Sequence, residues 1–408
     1  MGKKTEKRLR ILQVHNYYRI AGGEEQVVKN EGNMLKNRGH KVWLYTRESK
    51  EISCMNLWEK LCLPLTSFFS IRTYRDVKLL IRENRIDLVH VHNTLPFISP
   101  SVFYAALTSH VPVVLTVHNF RLLCPNGVFY REGHICEECV KKGLLCSIKH
   151  GCYRDSRIQT LVCAAGIKLH RMLGTYGKLH YICLTEFNKK KLLQLKQIDE
   201  KKVFVKANFM NRTEEIKEVS HRKNRIIYAG RLEENKGIKL LLRAYKKLAD
   251  DNRLKEEAVP ELVICGEGSL QKQCEHYVKK HHLNKVSFAG KVDNDRVRQM
   301  MAEARGIVIP TLLYEGFPMN VAEGYSVRTP VIGPDRGNTG DLIKDHVNGL
   351  KFEAGNAGAL AAAVMACDPE SCSFDLPDAE EWTEEGNYRK LIEIYERCLE
   401  DVRKDKKA

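Results

Sequence analysis

Short runs rich in β-branched residues alternate with longer helix-period stretches along this chain, and the alternation starts afresh halfway. The first series reads RILQVH (10–15), KVWLY (41–45), DLVHVH (87–92), VPVVLTVH (111–118) and HYICLT (180–185). The second reads RIIYAG (225–230), ELVICG (261–266), VSFAG (286–290), GIVIP (306–310) and TPVIG (329–333). Such alternation calls for parallel strands joined by helical crossovers, an α/β architecture. A chain of 408 residues exceeds what one hydrophobic core serves, so the two series imply two doubly wound, Rossmann-like domains facing across a cleft. The expected boundaries are 1–207, including a cysteine-rich insertion at 120–156, then 208–378, with the polar stretch 208–224 as linker. Residues 379–408 form a long helix, whose stripe of Tyr388, Leu391, Ile392, Ile394, Tyr395 and Leu399 needs a partner surface, expected back on the N-terminal domain.

Charge narrows the partners. The net charge of +16 points to anions: nucleic acid, an acidic membrane leaflet or phosphorylated small molecules. No RNA-binding module motif or C₂H₂ spacing occurs, so no nucleic-acid partner is expected. The basic N-terminus MGKKTEKRLR precedes no apolar stretch, Glu6 stands where a myristoylation pattern needs Ser or Thr, and no apolar run is long enough to span a bilayer. A cytoplasmic location is expected, and the fourteen cysteines are then reduced thiols or metal ligands rather than disulfides.

Ligands of open α/β sheets bind beyond the carboxyl ends of the strands, so the loops there are the places to search. After the first strand, Gly22 and Gly23 allow close approach of backbone, and the following helix offers unpaired N–H groups to an anion; a plain turn is the competing reading. The segment GEGSLQ, beginning at Gly266, follows a strand but lacks the third glycine of a dinucleotide fingerprint. In GRLEENKG, Arg231 and Lys236 supply a planar fork and a point charge suited to a diphosphate. In YEGFPMNVAEG, Pro318 suits the first turn of a helix. Glu315 then lies on the loop before that helix and Glu323 on it, and both carboxylates can accept from hydroxyl groups. Two cations and two acceptors describe a sugar nucleotide.

Taken together, GRLEENKG and EGFPMNVAEG, with GEGSL and the VPVV-type strands around them, resemble glycosyltransferase family 4 over nearly the whole chain. The resemblance implies the GT-B fold, a nucleoside-diphosphate sugar donor bound mostly by the second domain, an acceptor held by the first, and retention of anomeric configuration. It further implies that Arg231 and Lys236 hold the diphosphate, Glu323 the ribose hydroxyls and Glu315 the donor sugar. Gly266 belongs to the same donor site, the backbone at Gly316 and Phe317 contacts sugar and phosphates, and Gly22 and Gly23 close on the diphosphate. His118, at the end of VLTVH, matches the family's histidine aimed at the donor sugar, so His118 and Glu315 are the catalytic candidates. The acceptor implied is a saccharide or a lipid-linked glycan in cell-surface polysaccharide synthesis, and no catalytic metal is called for. A sugar-nucleotide epimerase of the same fold and a basic nucleic-acid-binding protein are the alternatives. His90 and His92 alternate with Val89 and Val91, share one face, and read as scaffold or acceptor-side groups.

Two stretches stand apart from that pattern. In CPNGVFYREGHICEECVKKGLLCSIKHGC, Cys136 and Cys139 form a CxxC that Cys124 and Cys152 would complete as a structural zinc site, the alternative being reduced thiols. Its place beside His118 suggests a part in shaping the acceptor cleft. The stretch 56–76 mixes Trp58, Leu61, Leu63, Leu65, Phe68 and Phe69 with Lys and Arg, which suits peripheral contact with an anionic membrane or, equally, core packing.

Overall fold

The computed structural model describes residues 8–18, 23–210, 216, 219, 221–369, 374–377 and 379–405. Two six-stranded sheets, each parallel throughout, organise two compact units. One unit comprises residues 1–127, 137–209 and 384–408, the other residues 128–136 and 210–383.

The first sheet contains β1 (Arg10–Tyr17), β2 (Lys41–Glu48), β3 (Leu88–Asn93), β4 (Val113–Val117), β7 (His180–Cys183) and β8 (Val203–Val205), in the order β2-β1-β3-β4-β7-β8. Every residue of β3 and β4 is buried, which is why β4 reads as a nearly unbroken apolar run and why the two histidines that alternate with valines in β3 point inward. The helix Glu384–Asp405 packs on this sheet: Tyr388, Leu391, Ile394 and Tyr395 share a core with Leu9, Ile11, Leu88, Val114 and Ile182.

A two-stranded antiparallel hairpin, β5 (Tyr130–Arg131) and β6 (His134–Ile135), interrupts the chain between β4 and β7 and groups with the second unit. The insertion therefore does not belong wholly to the N-terminal domain. Phe129, fully buried, meets the Tyr314 ring edge-on at 6.4 Å and fixes the hairpin there.

The second sheet contains β9 (Lys223–Ala229), β10 (Glu261–Cys265), β11 (Val286–Gly290), β12 (Ala304–Val308), β13 (Val331–Pro334) and β14 (Gly349–Phe352), in the order β11-β10-β9-β12-β13-β14. Numbered within the unit this is 3-2-1-4-5-6, the arrangement of dinucleotide-binding domains. The first sheet instead runs 2-1-3-4-5-6. Helix Ile238–Ala249 buries Ile238, Leu241, Leu242, Tyr245 and Leu248 against the second sheet, the i, i+3, i+4, i+7 stripe of an amphipathic helix.

In each sheet the strand order reverses once, and loops on either side of the reversal diverge to leave a crevice. In the second sheet the reversal lies between β9 and β12, and in the first between β1 and β3. Three of these four strands, β1, β9 and β12, carry loops on which sequence candidates sit; His118 follows β4 and Gly266 follows β10, each next to one of the four.

Candidate active site

In the second unit, β9 runs into the Arg231–Lys236 loop and β12 into the loop bearing Glu315. The two loops are joined by an ion pair: Lys236 Nζ donates to both Glu315 oxygens, at 3.0 and 2.9 Å. Both side chains are largely but not fully buried, so the pair remains reachable by a ligand. Gly237 makes the close approach of the loops possible. Its φ is +75°, and a Cβ there would stand 1.8 Å from the carbonyl oxygen of Pro310. Leu312 N–H also donates to Asn235 O at 3.0 Å. Gly266 plays the corresponding part behind Gly230, with φ +138° and its would-be Cβ 2.0 Å from that residue's oxygen. Its contribution is thus to let two loops touch.

Arg231 is exposed and paired with Glu233 at 2.8 Å. The two cations are therefore not bare in this structure, and a diphosphate would have to draw them from carboxylates already in contact. The Glu315–Phe317 turn is held from below by Asn338, whose Nδ2 donates to the Glu315 and Gly316 carbonyls, the latter at 3.0 Å. Phe317 is buried and anchors the turn. Pro318 stands one residue before the helix Met319–Ser326 rather than in its first turn, because its ψ of +90° is extended. Glu323 is the fifth residue of that helix. Half-buried, its carboxyl is pushed up by burial, with Arg298 opposing. A carboxyl of raised pKa in a partly dry setting is suited to hydroxyl partners.

In the first unit, His118 follows β4 and His92 lies on β3. Their rings stack at 5.3 Å, with His92 Nδ1 3.0 Å from His118 Nε2. On its other side His92 Nε2 faces Glu31 Oε1 at 3.6 Å. Glu31, 1 % exposed, also lies 2.9 Å from His90 Nδ1 and 3.2 Å from Lys206 Nζ. Burial pushes the Glu31 carboxyl up, but Lys206 and His90 outweigh it and hold the group well below the usual carboxylate range. His92 and His118 move the other way: burial lowers both, His118 to about 3, so both rings are neutral near pH 7. One proton then lies between Nδ1 of His92 and Nε2 of His118. The ionised Glu31 favours the His92 proton on Nε2, which makes His118 the donor between the rings and leaves His118 Nδ1 a hydrogen-bond acceptor.

Glu31, His90 and His92 are the group of metal-ligating side chains that converges within 4.8 Å among the described residues. The chemistry there does not suit an ion. Both His90 nitrogens are engaged, by Tyr395 Oη and Thr116 Oγ1 at 2.7 Å each, and the Lys206 ammonium already supplies the positive charge. This cluster is a support for His118.

Gly22 lies outside the described residues. Gly23 opens the helix Gly23–Asn37, and a Cβ there would meet nothing within 4 Å. The next residue, Glu24, accepts from Tyr18 Oη at 3.1 Å, and its carboxyl is pushed up to about 8 by burial. Of the four cysteines, the structure brings Cys124 and Cys139 into hydrogen-bonding contact, which with burial drives the Cys139 thiol upward. Cys124 Sγ also donates to Asn126 Oδ1 at 3.1 Å. Cys152, half-buried, donates its backbone N–H to Ser147 O at 3.1 Å. Cys136 groups with the hairpin in the other unit.

Sequence reasoning missed Asn338, Glu31, Lys206 and the partnership of Lys236 with Glu315. Polar side chains scattered over such distances carry no spacing signal of their own. In the first unit, a cue was present in β3, where two histidines alternating with valines in a fully buried strand require buried partners.

Comparison with known proteins gives a consistent result. Residues 210–367 match the family profile described as glycosyl transferases group 1, and residues 21–136 match that of glycosyltransferase family 4. An uncharacterized glycosyltransferase of Methanocaldococcus jannaschii is 31% identical over 140 residues, 34% of each chain. The amylovoran biosynthesis glycosyltransferase AmsK of Erwinia amylovora is 25% identical over 195 residues, 45% of this chain and 47% of AmsK. The matches thus span between a third and a half of the length of these relatives. Among solved structures, Anabaena Alr3699/HepE in complex with UDP shares the fold with a TM-score of 0.61 at 15% identity, over 97% of this chain and 100% of that one.

Proposed function

The chain belongs to the family 4, group 1 glycosyltransferases, and from that premise we propose that it transfers a sugar from a nucleoside-diphosphate donor to a saccharide or lipid-linked acceptor, with retention, in polysaccharide synthesis. The observation that carries the reading is the Lys236–Glu315 pair at the strand-order reversal of a 3-2-1-4-5-6 sheet. It sets a phosphate-binding cation and a hydroxyl-binding carboxylate side by side where a nucleotide sugar would lie. The similarity to AmsK, an amylovoran biosynthesis glycosyltransferase, and the fold shared with HepE, solved with UDP, support the pathway and the donor class.

In this mechanism, departure of the nucleoside diphosphate builds negative charge on phosphate oxygens. Lys236, released from Glu315 as the sugar hydroxyls take its place, and Arg231 stabilise that charge as it forms. Helix Met319–Ser326 begins two residues after Phe317, and the positive end of its dipole favours an anion there. Glu323 accepts from the ribose hydroxyls and Glu315 from the sugar. His118, neutral and offering Nδ1 as an acceptor, receives a hydrogen bond from a donor-sugar hydroxyl and fixes the sugar's orientation. The acceptor attacks from the face the diphosphate leaves, and the leaving phosphate takes its proton. The reading assigns no step to a metal.

A thermal-shift screen of UDP, GDP and ADP with their common sugars tests it, with and without Glu323→Ala. One nucleotide family should raise the melting temperature of the wild type and fail to do so in the variant. No shift with any nucleotide in a folded sample would overturn the donor site. Conversion of a donor into its epimer without any acceptor would overturn transfer, and a trapped covalent glycosyl-enzyme would overturn same-face attack.

A further inference from the structure

The first unit contains a cavity of about 430 Å³ that the donor reading does not use. It reaches His118 at one end and runs between helices Leu57–Phe68 and Arg157–Met172, with Leu63, Pro64, Phe103, Leu122, Val162 and Ile167 among its walls. Part of its polar lining is spent within the protein. Asn93 donates to Asn16 O and accepts from Leu95 N–H, His170 is held by Tyr104 and the Phe68 carbonyl, and Asn119 accepts from Arg121 N–H. The helix walls between which it runs are mainly apolar, and an apolar chain needs no donors or acceptors there.

One region of the lining is cationic. Arg121 and Arg154 both stack on the ring of Tyr153, at 5.6 and 5.3 Å, and both also line a second cavity of about 230 Å³ that shares Leu95 and Pro96 with the first. Arg121 Nε has no hydrogen-bond partner among the described residues. Tyr18 is hydrogen-bonded to the Arg121 guanidinium, and the acid nearest in influence, Glu24, is bonded to Tyr18 with its carboxyl pushed up to about 8, so no ionised carboxylate among these neighbours offsets the Arg121 charge near pH 7.

The outer faces of the wall helices are apolar and uncovered. Trp58 and Leu57 on one helix, Ile158 and Met172 on the other, are each about three-quarters exposed, and Ile158 also lines the cavity. The second helix carries Arg157, Lys168 and Arg171 and no acidic residue. An apolar face with basic residues is the chemistry of a surface that meets anionic lipid.

We propose that this cavity seats the hydrocarbon chain of a phosphate-bearing lipid acceptor, with the phosphate between Arg121 and Arg154 and the reacting hydroxyl toward His118. The inference rests on the glycosyltransferase reading and narrows its acceptor from saccharide or lipid to lipid phosphate. Helices Leu57–Phe68 and Arg157–Met172 flank the entrance at the bilayer.

Binding of geranylgeranyl phosphate to the full chain, measured by isothermal calorimetry beside geranylgeraniol and inorganic phosphate, tests it. The lipid phosphate should bind roughly tenfold or more tighter than the alcohol, the size of one or two charge-assisted hydrogen bonds, and inorganic phosphate should not bind measurably. Val162→Trp, which fills the chamber, should weaken the lipid phosphate at least about tenfold while leaving the UDP, GDP or ADP thermal shift in place. Arg154→Gln should abolish the preference for phosphate over alcohol. If Val162→Trp does not fold, Gly166→Leu intrudes on the same chamber from a position where a Cβ lies 3.6 Å from the Phe68 ring. Equal binding of alcohol and phosphate, indifference to the chamber variants, tight binding of inorganic phosphate alone, or no lipid binding in a sample that still shows the nucleotide shift would each overturn the proposal. Lipid-phosphate binding without any nucleotide shift would instead leave this site standing and remove the donor reading.

Discussion

Replacing Glu31 by Gln keeps the shape of the side chain and removes its charge. What remains is Lys206, whose side chain is 3% exposed, with Asn387 Oδ1 at 2.8 Å as its other polar contact. Breaking a buried ion pair by removing one partner costs about 3–5 kcal/mol, because the surviving charge stays desolvated. Glu31→Gln should lose stability in that range. Adding Lys206→Met removes the stranded charge, so the double variant should be less damaged than the sum of the single ones by about 1–3 kcal/mol. The sign with pH follows from the carboxyl's depressed pKa. Its stabilisation is complete above the unfolded value, about 4.3, and is lost as pH falls through the lower folded value. The gap between wild type and Glu31→Gln should therefore be widest near neutral pH and close in acid. Urea titration followed by hydrogen exchange of peptides from β3 reads the first unit by itself. A loss under about 1 kcal/mol, or strict additivity of the two substitutions, would refute the claim that a charge pair holds this core.

Three further outcomes follow. Lys236→Met should raise the KM for the donor roughly ten- to a hundredfold, since a charge-assisted contact to phosphate and the partner of Glu315 are lost together; steady-state kinetics with unchanged KM would remove Lys236 from the site. Gly237→Ala should destabilise the second unit by about 3 kcal/mol or more, through a positive φ and a clash with backbone, measured as a fall in the urea midpoint of β9 peptides. His15, fully buried with its pKa lowered to about 4 by burial, contributes stability that is complete above about 6.5 and lost as pH falls toward 4, up to about 3 kcal/mol. His15→Phe should flatten that acid slope; Glu24, raised to about 8, acts in the opposite sense, so the comparison is between variant and wild type at each pH.

The architecture was legible because parallel strands buried on both faces leave runs such as LVHVH and VVLTV that no amphipathic helix produces. The edge strands β8 and β14 were missed: three and four residues long, each is too short to show a pattern. On the site, residue type and position after a strand picked out Arg231, Lys236, Glu315 and Glu323, since β-strand ends fix where loops emerge. The pairing of Lys236 with Glu315, 79 residues apart, depends on which strands become neighbours, and strand order is not written in any one segment. The packing of the hairpin has the same origin: Phe129 meets Tyr314, far along the chain, and no local pattern marks that partnership.

The terminal helix has a temporal consequence. The chain completes the whole second unit before residues 384–405 exist to cover β1, β3 and β4, and His90 and Lys206 wait on Tyr395 and Asn387 from that helix for their remaining hydrogen bonds. On the ribosome, the half made first must then be the half finished last. Until the helix emerges, the nascent first sheet displays an apolar face and a histidine cluster with hydrogen bonds still unmade, a natural point of capture by a chaperone.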